Sequence, residues 1–324
     1  MNPFFDKLKH ISQQGVSVIN GIVGDKLNDT PLGIEMNFYA HQKALVLDTD
    51  HLQKYFVQQK IEPTPKICVL IHGLLSNETF WDFKDKQNYG TLLQNDLDYT
   101  PFYVRYNSGL HISDNGKALA AILEQLFLNY PIEVEEITLI AHSMGGLVTH
   151  SACNYAQEND LMWTKKLKNI FLLATPHLGS YLEKFANITT NILAKVPNWH
   201  TRLVGKVLNF RSAGIKDLRF GYISEADWKD QNPDKLLQNT KKTVHKLSNV
   251  AYYVISARLT QKEKHWVSQL FGDILVSKKS ATAQSKNLAE FNFPTEHHFA
   301  FAKTLHFELT TSYAVYDQIR GWIV

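Results

Sequence analysis

The chain has 324 residues, 44% hydrophobic and 20% charged, with 16 glycines and 10 prolines. That composition excludes collagen-like, low-complexity and wholly disordered chains, and the length suffices for one large domain whose core needs no staples. Lys and Arg number 34 against 31 Asp and Glu, a net charge of +3 that is too weak to argue for a nucleic-acid partner. The charge is uneven: residues 181–246 carry 12 Lys/Arg and 6 Asp/Glu, a net of +6, which leaves −3 on the remainder.

Cys68 and Cys153 sit in apolar surroundings and read as buried small hydrophobes rather than a disulfide framework. No CxxC or HExxH spacing occurs. Glu296-His297-His298 lacks the i, i+4 spacing that puts two imidazoles on one helix face, so no metal is expected. The N-terminus has no basic segment ahead of an unbroken apolar core, and no run reaches the roughly 18 apolar residues of a membrane span. A cytoplasmic chain is expected, with its N-terminal helix or its basic segment as the points of peripheral membrane contact.

In chain order, Phe4, Leu8, Ile11, Val18, Ile19 and Ile22 recur at helical spacing and predict an amphipathic helix across the first 24 residues, weakest at Gly15. Docking on its own domain is the commoner outcome for such a helix, lying on a membrane the rarer one. Ile34, Met36 and Phe38 alternate as a strand, with 44–47 as its hairpin partner. Strands follow over 67–71, 102–106, 137–141, 170–174, 250–256 and 298–303, and a closing helix over 311–322. Helical patterns separate them, among them Ala118, Ala121, Ile122 and Leu126, then Leu147, Val148, Ala152 and Tyr155. Near-continuous apolar strands alternating with amphipathic helices predict an α/β fold, a mostly parallel sheet covered on both faces.

The chain reads as one domain over 1–324, with the N-terminal helix and leading strands in 1–60. Residues 181–246 are too long for a loop and read as a lid or cap. Phe185, Ile188, Ile192, Leu193, Val196 and Trp199 offer it apolar positions, and its net +6 suits an anionic surface. The plainer reading of the same segment is a solvated helical insertion.

The most informative stretch is Ala141-His142-Ser143-Met144-Gly145, lying between a buried strand and a helix. A serine on so sharp a strand-to-helix turn exposes its hydroxyl above the sheet edge, and small residues two before and two after let the backbone pass. The pattern alone arises by chance in roughly 0.2 of chains this long. An ordinary serine N-cap is the plain alternative; the strand–turn–helix context is what argues against it. Cys68-Val-Leu-Ile-His72-Gly73-Leu74 supplies a second piece. In an acyl-transfer site of this type the oxyanion is held by the N–H after the nucleophile and by one from this earlier loop, here Met144 and Leu74. His72 precedes the serine and reads as structural.

These residues, with Tyr106-Asn-Ser-Gly-Leu-His-Ile-Ser-Asp-Asn-Gly116 and Ala174-Thr-Pro-His-Leu-Gly-Ser180, resemble the α/β-hydrolase fold, and within it lipase-like enzymes of the GPI-inositol-deacylase-like (PGAP1-like) group. The resemblance spans roughly 65–324 without the insertion. It implies a triad in the chain order Ser, Asp or Glu, His. Glu263, Asp273 and Glu290 are the candidate acids; Asp273 is favoured because Gly272-Asp273-Ile274-Leu275-Val276-Ser277 resembles the family's acid loop, although Ile274 and Ser277 replace its usual Gly and Pro. His306, in the loop after the last strand, matches the family's imidazole, while His297 and His298 come at that strand's start.

The expected function is that of a serine carboxylic-ester hydrolase acting on acyl or lipid esters, needing no metal or organic cofactor. A thioesterase or amidase would use the same triad. The competing class is a membrane-associated interaction protein that keeps the fold with little turnover, supported by the amphipathic N-terminus, the basic insertion and the imperfect acid loop.

Overall fold

Along β3 (Lys66–Ile71), Ile67, Val69 and Ile71 enter one hydrophobic cluster, while Cys68 and Leu70 enter another. In β5 (Glu136–His142), Ile137, Leu139 and Ala141 join the first cluster and Ile140 the second. In β6 (Leu167–Leu173), Ile170 and Leu172 oppose Phe171 and Leu173. Successive side chains leave a strand on opposite faces, so an unbroken apolar run is what a sheet buried on both sides requires.

The computed structural model describes residues 13–26, 33–177, 212–229, 246–258 and 293–324. The remaining strands are β1 (Asn37–Ala40), β2 (Lys43–Ala44), β4 (Tyr99–Arg105), β7 (Ala251–Arg258) and β8 (His298–Ala302). The eight strands among the described residues form one sheet in the order β2-β1-β4-β3-β5-β6-β7-β8. The β1 strand pairs antiparallel with β2 and β4, and the other neighbours are parallel. The expected mostly parallel α/β architecture is therefore the observed one.

One face carries α1 (Gln13–Val23), α2 (Thr49–Gln59), α4 (Ile112–Asn129) and α5 (Met144–Glu158), which contribute Val18, Leu52, Leu123 and Leu147 to the first cluster. The other face carries α3 (Tyr89–Leu97) and α8 (Tyr313–Ile323), contributing Leu93 and Ile319 to the second. The N-terminal amphipathic segment thus turns Val18 and Ile22 into its own domain, the commoner outcome for such a helix; residues 1–12 lie outside the described ones. The leading hairpin is tighter than the alternation suggested: β1 starts later, over Asn37–Ala40, and β2 is only Lys43–Ala44. Helix α2, which the strand reading of 1–60 passes over, is capped by Asp48 accepting from the His51 N–H and closed by Lys60 at φ 55°.

Of residues 181–246, those at 212–229 and 246 are described. They include α6 (Ala213–Phe220) and α7 (Glu225–Trp228), which rest on the turn 107–115. Asp217 accepts from the Ile112 N–H at 2.9 Å and from His111 Nδ1 at 3.0 Å; Trp228 stacks on His111 with centroids 3.7 Å apart and donates to Ser113 Oγ at 3.0 Å. Gly214 N–H donates to the Gly109 carbonyl at 3.1 Å. The same turn holds α1, through Asn107 Nδ2 donating to the Gly24 carbonyl at 3.1 Å. The 106–116 motif is therefore a docking platform for two flanking segments. Among the described residues, no helix is long and apolar enough to cross a membrane.

Candidate active site

At the C-terminal end of β5 the chain turns into α5 through Ser143, whose φ of 54° and ψ of −121° lie where an L-residue is strained. Such a conformation costs about 1–3 kcal/mol and persists only where the surroundings enforce it. Here Ser143 N–H donates to the Leu173 carbonyl at 2.8 Å, and Gly146 N–H donates to the Ser143 carbonyl at 3.0 Å. The two glycines after it are steric necessities. A Cβ on Gly145 would collide with the carbonyl oxygens of Ile71 and His72, and one on Gly146 with the side chain of Thr175.

The loop after β3 approaches from the other side. An ideal Cβ built on Gly73 would lie 3.1 Å from the Ser143 Cβ. Leu75, two residues on, has φ 62°, and its N–H donates to Ser108 Oγ at 3.1 Å. Glu78 and Arg105, both buried, close the loop's far side with a two-pronged ion pair; Arg105 Nε donates to Glu78 Oε2 at 2.6 Å. Leu74 thus directly follows the glycine that faces Ser143. Met144 occupies the first turn of α5, where backbone N–H groups have no intrahelical acceptor and the helix dipole is positive.

His306 enters from the loop after β8, as the first residue of a 3-10 turn (His306–Thr310), and is buried. Its ring packs against that of His142, centroids 4.6 Å apart and planes at 58°, and its carbonyl accepts from His142 Nε2 at 3.1 Å. Because His142 directly precedes Ser143 in the chain, this brings His306 to the elbow. His142 is held well below the ordinary imidazole range, by burial first and then by the neighbouring His306 charge. His72 is likewise kept neutral, at about 4, chiefly by burial. Its Nδ1 bonds the Gly73 carbonyl at 2.8 Å and its ring stacks on Tyr106 at 4.3 Å, which is a structural role.

The structure therefore brings together Ser143, Met144, the Gly73–Leu74 turn and His306. The favoured acid Asp273, and with it Glu263 and Glu290, lies outside the described residues. His297 ends the 3-10 turn Thr295–His297 directly before β8, with its Nδ1 donating to the Tyr252 carbonyl at 3.1 Å. Among the described residues no three His, Cys, Asp or Glu side chains group as a metal site. Cys68 and Cys153 are buried and free, and burial pushes the Cys153 thiol up to about 12. Sequence reading missed three features: the His142–His306 contact, the Glu78–Arg105 pair, and a buried His150–His177 pair with Nε2 atoms 3.2 Å apart.

A serine at a left-handed turn between a central parallel strand and its following helix, under a sheet of this order, is the arrangement of the α/β-hydrolase fold. The family model described as "Putative serine esterase (DUF676)" matches residues 62–254, and the chain belongs to that family of esterase-type hydrolases. Among solved structures it is similar to the mature form of the Bacillus licheniformis lipase BlEst2, with TM-score 0.52 and 19% identity over 81% of this chain and 94% of that one. The propeptide form of the same lipase gives TM-score 0.51 and 19% identity over 80% of this chain and 51% of that one. Naproxen esterase from Bacillus subtilis gives TM-score 0.47 and 13% identity over 97% and 100% of the two chains. A comparison with curated proteins finds no significant match.

Proposed function

We propose that the chain is a serine carboxylic-ester hydrolase acting on acyl or lipid esters. The observation that carries the proposal is the strained φ of 54° at Ser143, held against Gly73 and directly after the residue that contacts His306. In this reading Ser143 Oγ attacks the acyl carbonyl while His306 accepts its proton. The tetrahedral oxyanion is held by the N–H groups of Met144 and Leu74. His306 then protonates the departing alkoxide, leaving an acyl-serine, and activates a water that releases the acid. Asp273 orients the imidazole and stabilises its charged form.

The substrate class follows from the insertion. Its apolar positions from Phe185 to Trp199 suit an acyl chain, and its net +6 suits an anionic head group or surface. Within the same proposal the segment 181–246 caps a single domain, and the sequence resemblance favours the GPI-inositol-deacylase-like branch. The direct test is labelling by a fluorophosphonate, with p-nitrophenyl esters from C2 to C16 and phospholipids as substrates. Labelling and turnover that vanish in Ser143→Ala are the expected result. A folded wild-type protein that neither labels nor hydrolyses any of these esters overturns the reading.

A further inference from the structure

We infer that His142 is a positioning residue of this hydrolase, holding the His306 loop and the Gly73 turn in register with Ser143. The inference rests on the proposed hydrolysis and adds to it a residue outside the triad and the oxyanion hole. His142 ends β5 and is buried where three segments meet. Its Nε2 lies 3.1 Å from the His306 carbonyl oxygen. A carbonyl only accepts, so the proton is on Nε2 and the lone pair on Nδ1. That Nδ1 has no hydrogen-bond partner among the described residues, and it faces Gly73, whose Cβ would be 3.2 Å away. The ring also packs on the His306 ring at 4.6 Å and on Phe80 at 5.4 Å. One imidazole thus touches the turn that presents Leu74 and the loop that presents His306, and it is peptide-bonded to Ser143.

A buried ring with one unsatisfied nitrogen is a poor choice for packing alone, since leucine would fill the space without stranding a polar atom. What leucine cannot do is donate to the His306 carbonyl. A charged side chain could donate, but it would place a second cation beside the imidazolium that His306 becomes during proton transfer. A neutral donor at the reach of Nε2 meets both demands. Glutamine also has a neutral N–H donor at comparable reach, without the bulk of an indole.

The test compares His142→Leu with His142→Gln on p-nitrophenyl butyrate. The expected result is a fall in kcat of about ten-fold in the leucine variant with little change in KM, the loss attributable to one orienting hydrogen bond. The glutamine variant should recover most of that loss. Equal kcat in wild type and the leucine variant, or equal losses in the two variants, overturns the inference. Where a variant fails to fold, nitrogen-15 histidine spectra of the intact wild-type protein decide instead: the Nε2–H tautomer of His142 at neutral pH is expected, and an Nδ1–H or doubly protonated ring overturns it. An inactive wild type sinks the proposed hydrolysis, whereas an active wild type beside an equally active leucine variant sinks only the role of His142.

Discussion

Gly73 and Ser143 face each other so closely that a Cβ on the glycine would lie 3.1 Å from the serine Cβ, with His142 Nδ1 and the His142 carbonyl at 3.2 and 3.3 Å. Few real Cβ atoms are this crowded, so the loop after β3 and the elbow must shift apart by a few tenths of an ångström to accept an alanine. Those two segments are the ones that carry the candidate oxyanion donors and the nucleophile. Gly73→Ala is therefore expected to lower kcat by about ten-fold, in line with the steep dependence of rate on small misplacements of reacting groups. Urea unfolding should show a cost of about 1–3 kcal/mol, the usual range for an extra methyl in a packed site. A variant with wild-type kcat would mean that Leu74 N–H does not serve the oxyanion.

Ser143→Ala and His306→Ala test the triad as a unit. Each is expected to lower kcat by about 10⁶, and the double variant should fall no further, because members of a triad do not contribute additively. Single-turnover kinetics on an activated ester read this directly. Additive losses would show that His306 acts on some other step than activating Ser143.

Asp273→Asn is expected to cost about 10⁴ in kcat, through stabilising the wrong imidazole tautomer, as replacement of a triad aspartate does elsewhere. The same assay on Glu263→Gln and Glu290→Gln serves as the control. An unchanged Asp273→Asn beside an impaired glutamate variant transfers the acid's role to that glutamate.

The sheet was legible because every central strand is an apolar run buried on both faces, as the alternation through Ile67, Cys68, Val69 and Leu70 makes plain. Helix α2 was not, since its core contribution is only Leu52 and Phe56 within a largely polar segment. Its better signals are the Asp48 cap and the left-handed Lys60. At the site, Ser143 announces itself locally, because the turn demands small residues within two positions. The partner of His142 is 164 residues away in the chain, and no local pattern reports a contact to a backbone carbonyl at that separation. The 106–116 motif was visible as a string of residues, but its meaning lay in Asp217, 105 positions beyond the Ile112 N–H that it caps.

That cap yields a pH prediction. Burial opposes a charge on the His111 ring, but the Asp217 carboxylate at 3.0 Å, with Asp114 and Asp25 nearby, outweighs it and raises the imidazole above its ordinary 6.5. Asp217 itself is raised above 3.8 because its burial exceeds the help from His111. Both groups hold protons more tightly folded than unfolded, so both make stability fall as pH rises. The His111 contribution is fully present below 6.5 and is lost as pH climbs through the raised value. Wild type should therefore exceed His111→Gln in unfolding free energy most at about pH 5.5 and least at about pH 8.5. Asp217→Ala should cost roughly 2 kcal/mol by stranding the Ile112 N–H and the ring together. A wild-type advantage over His111→Gln that stays flat across this range would mean that the 212–229 segment is held to the 107–115 platform by stacking on Trp228 and not by charge.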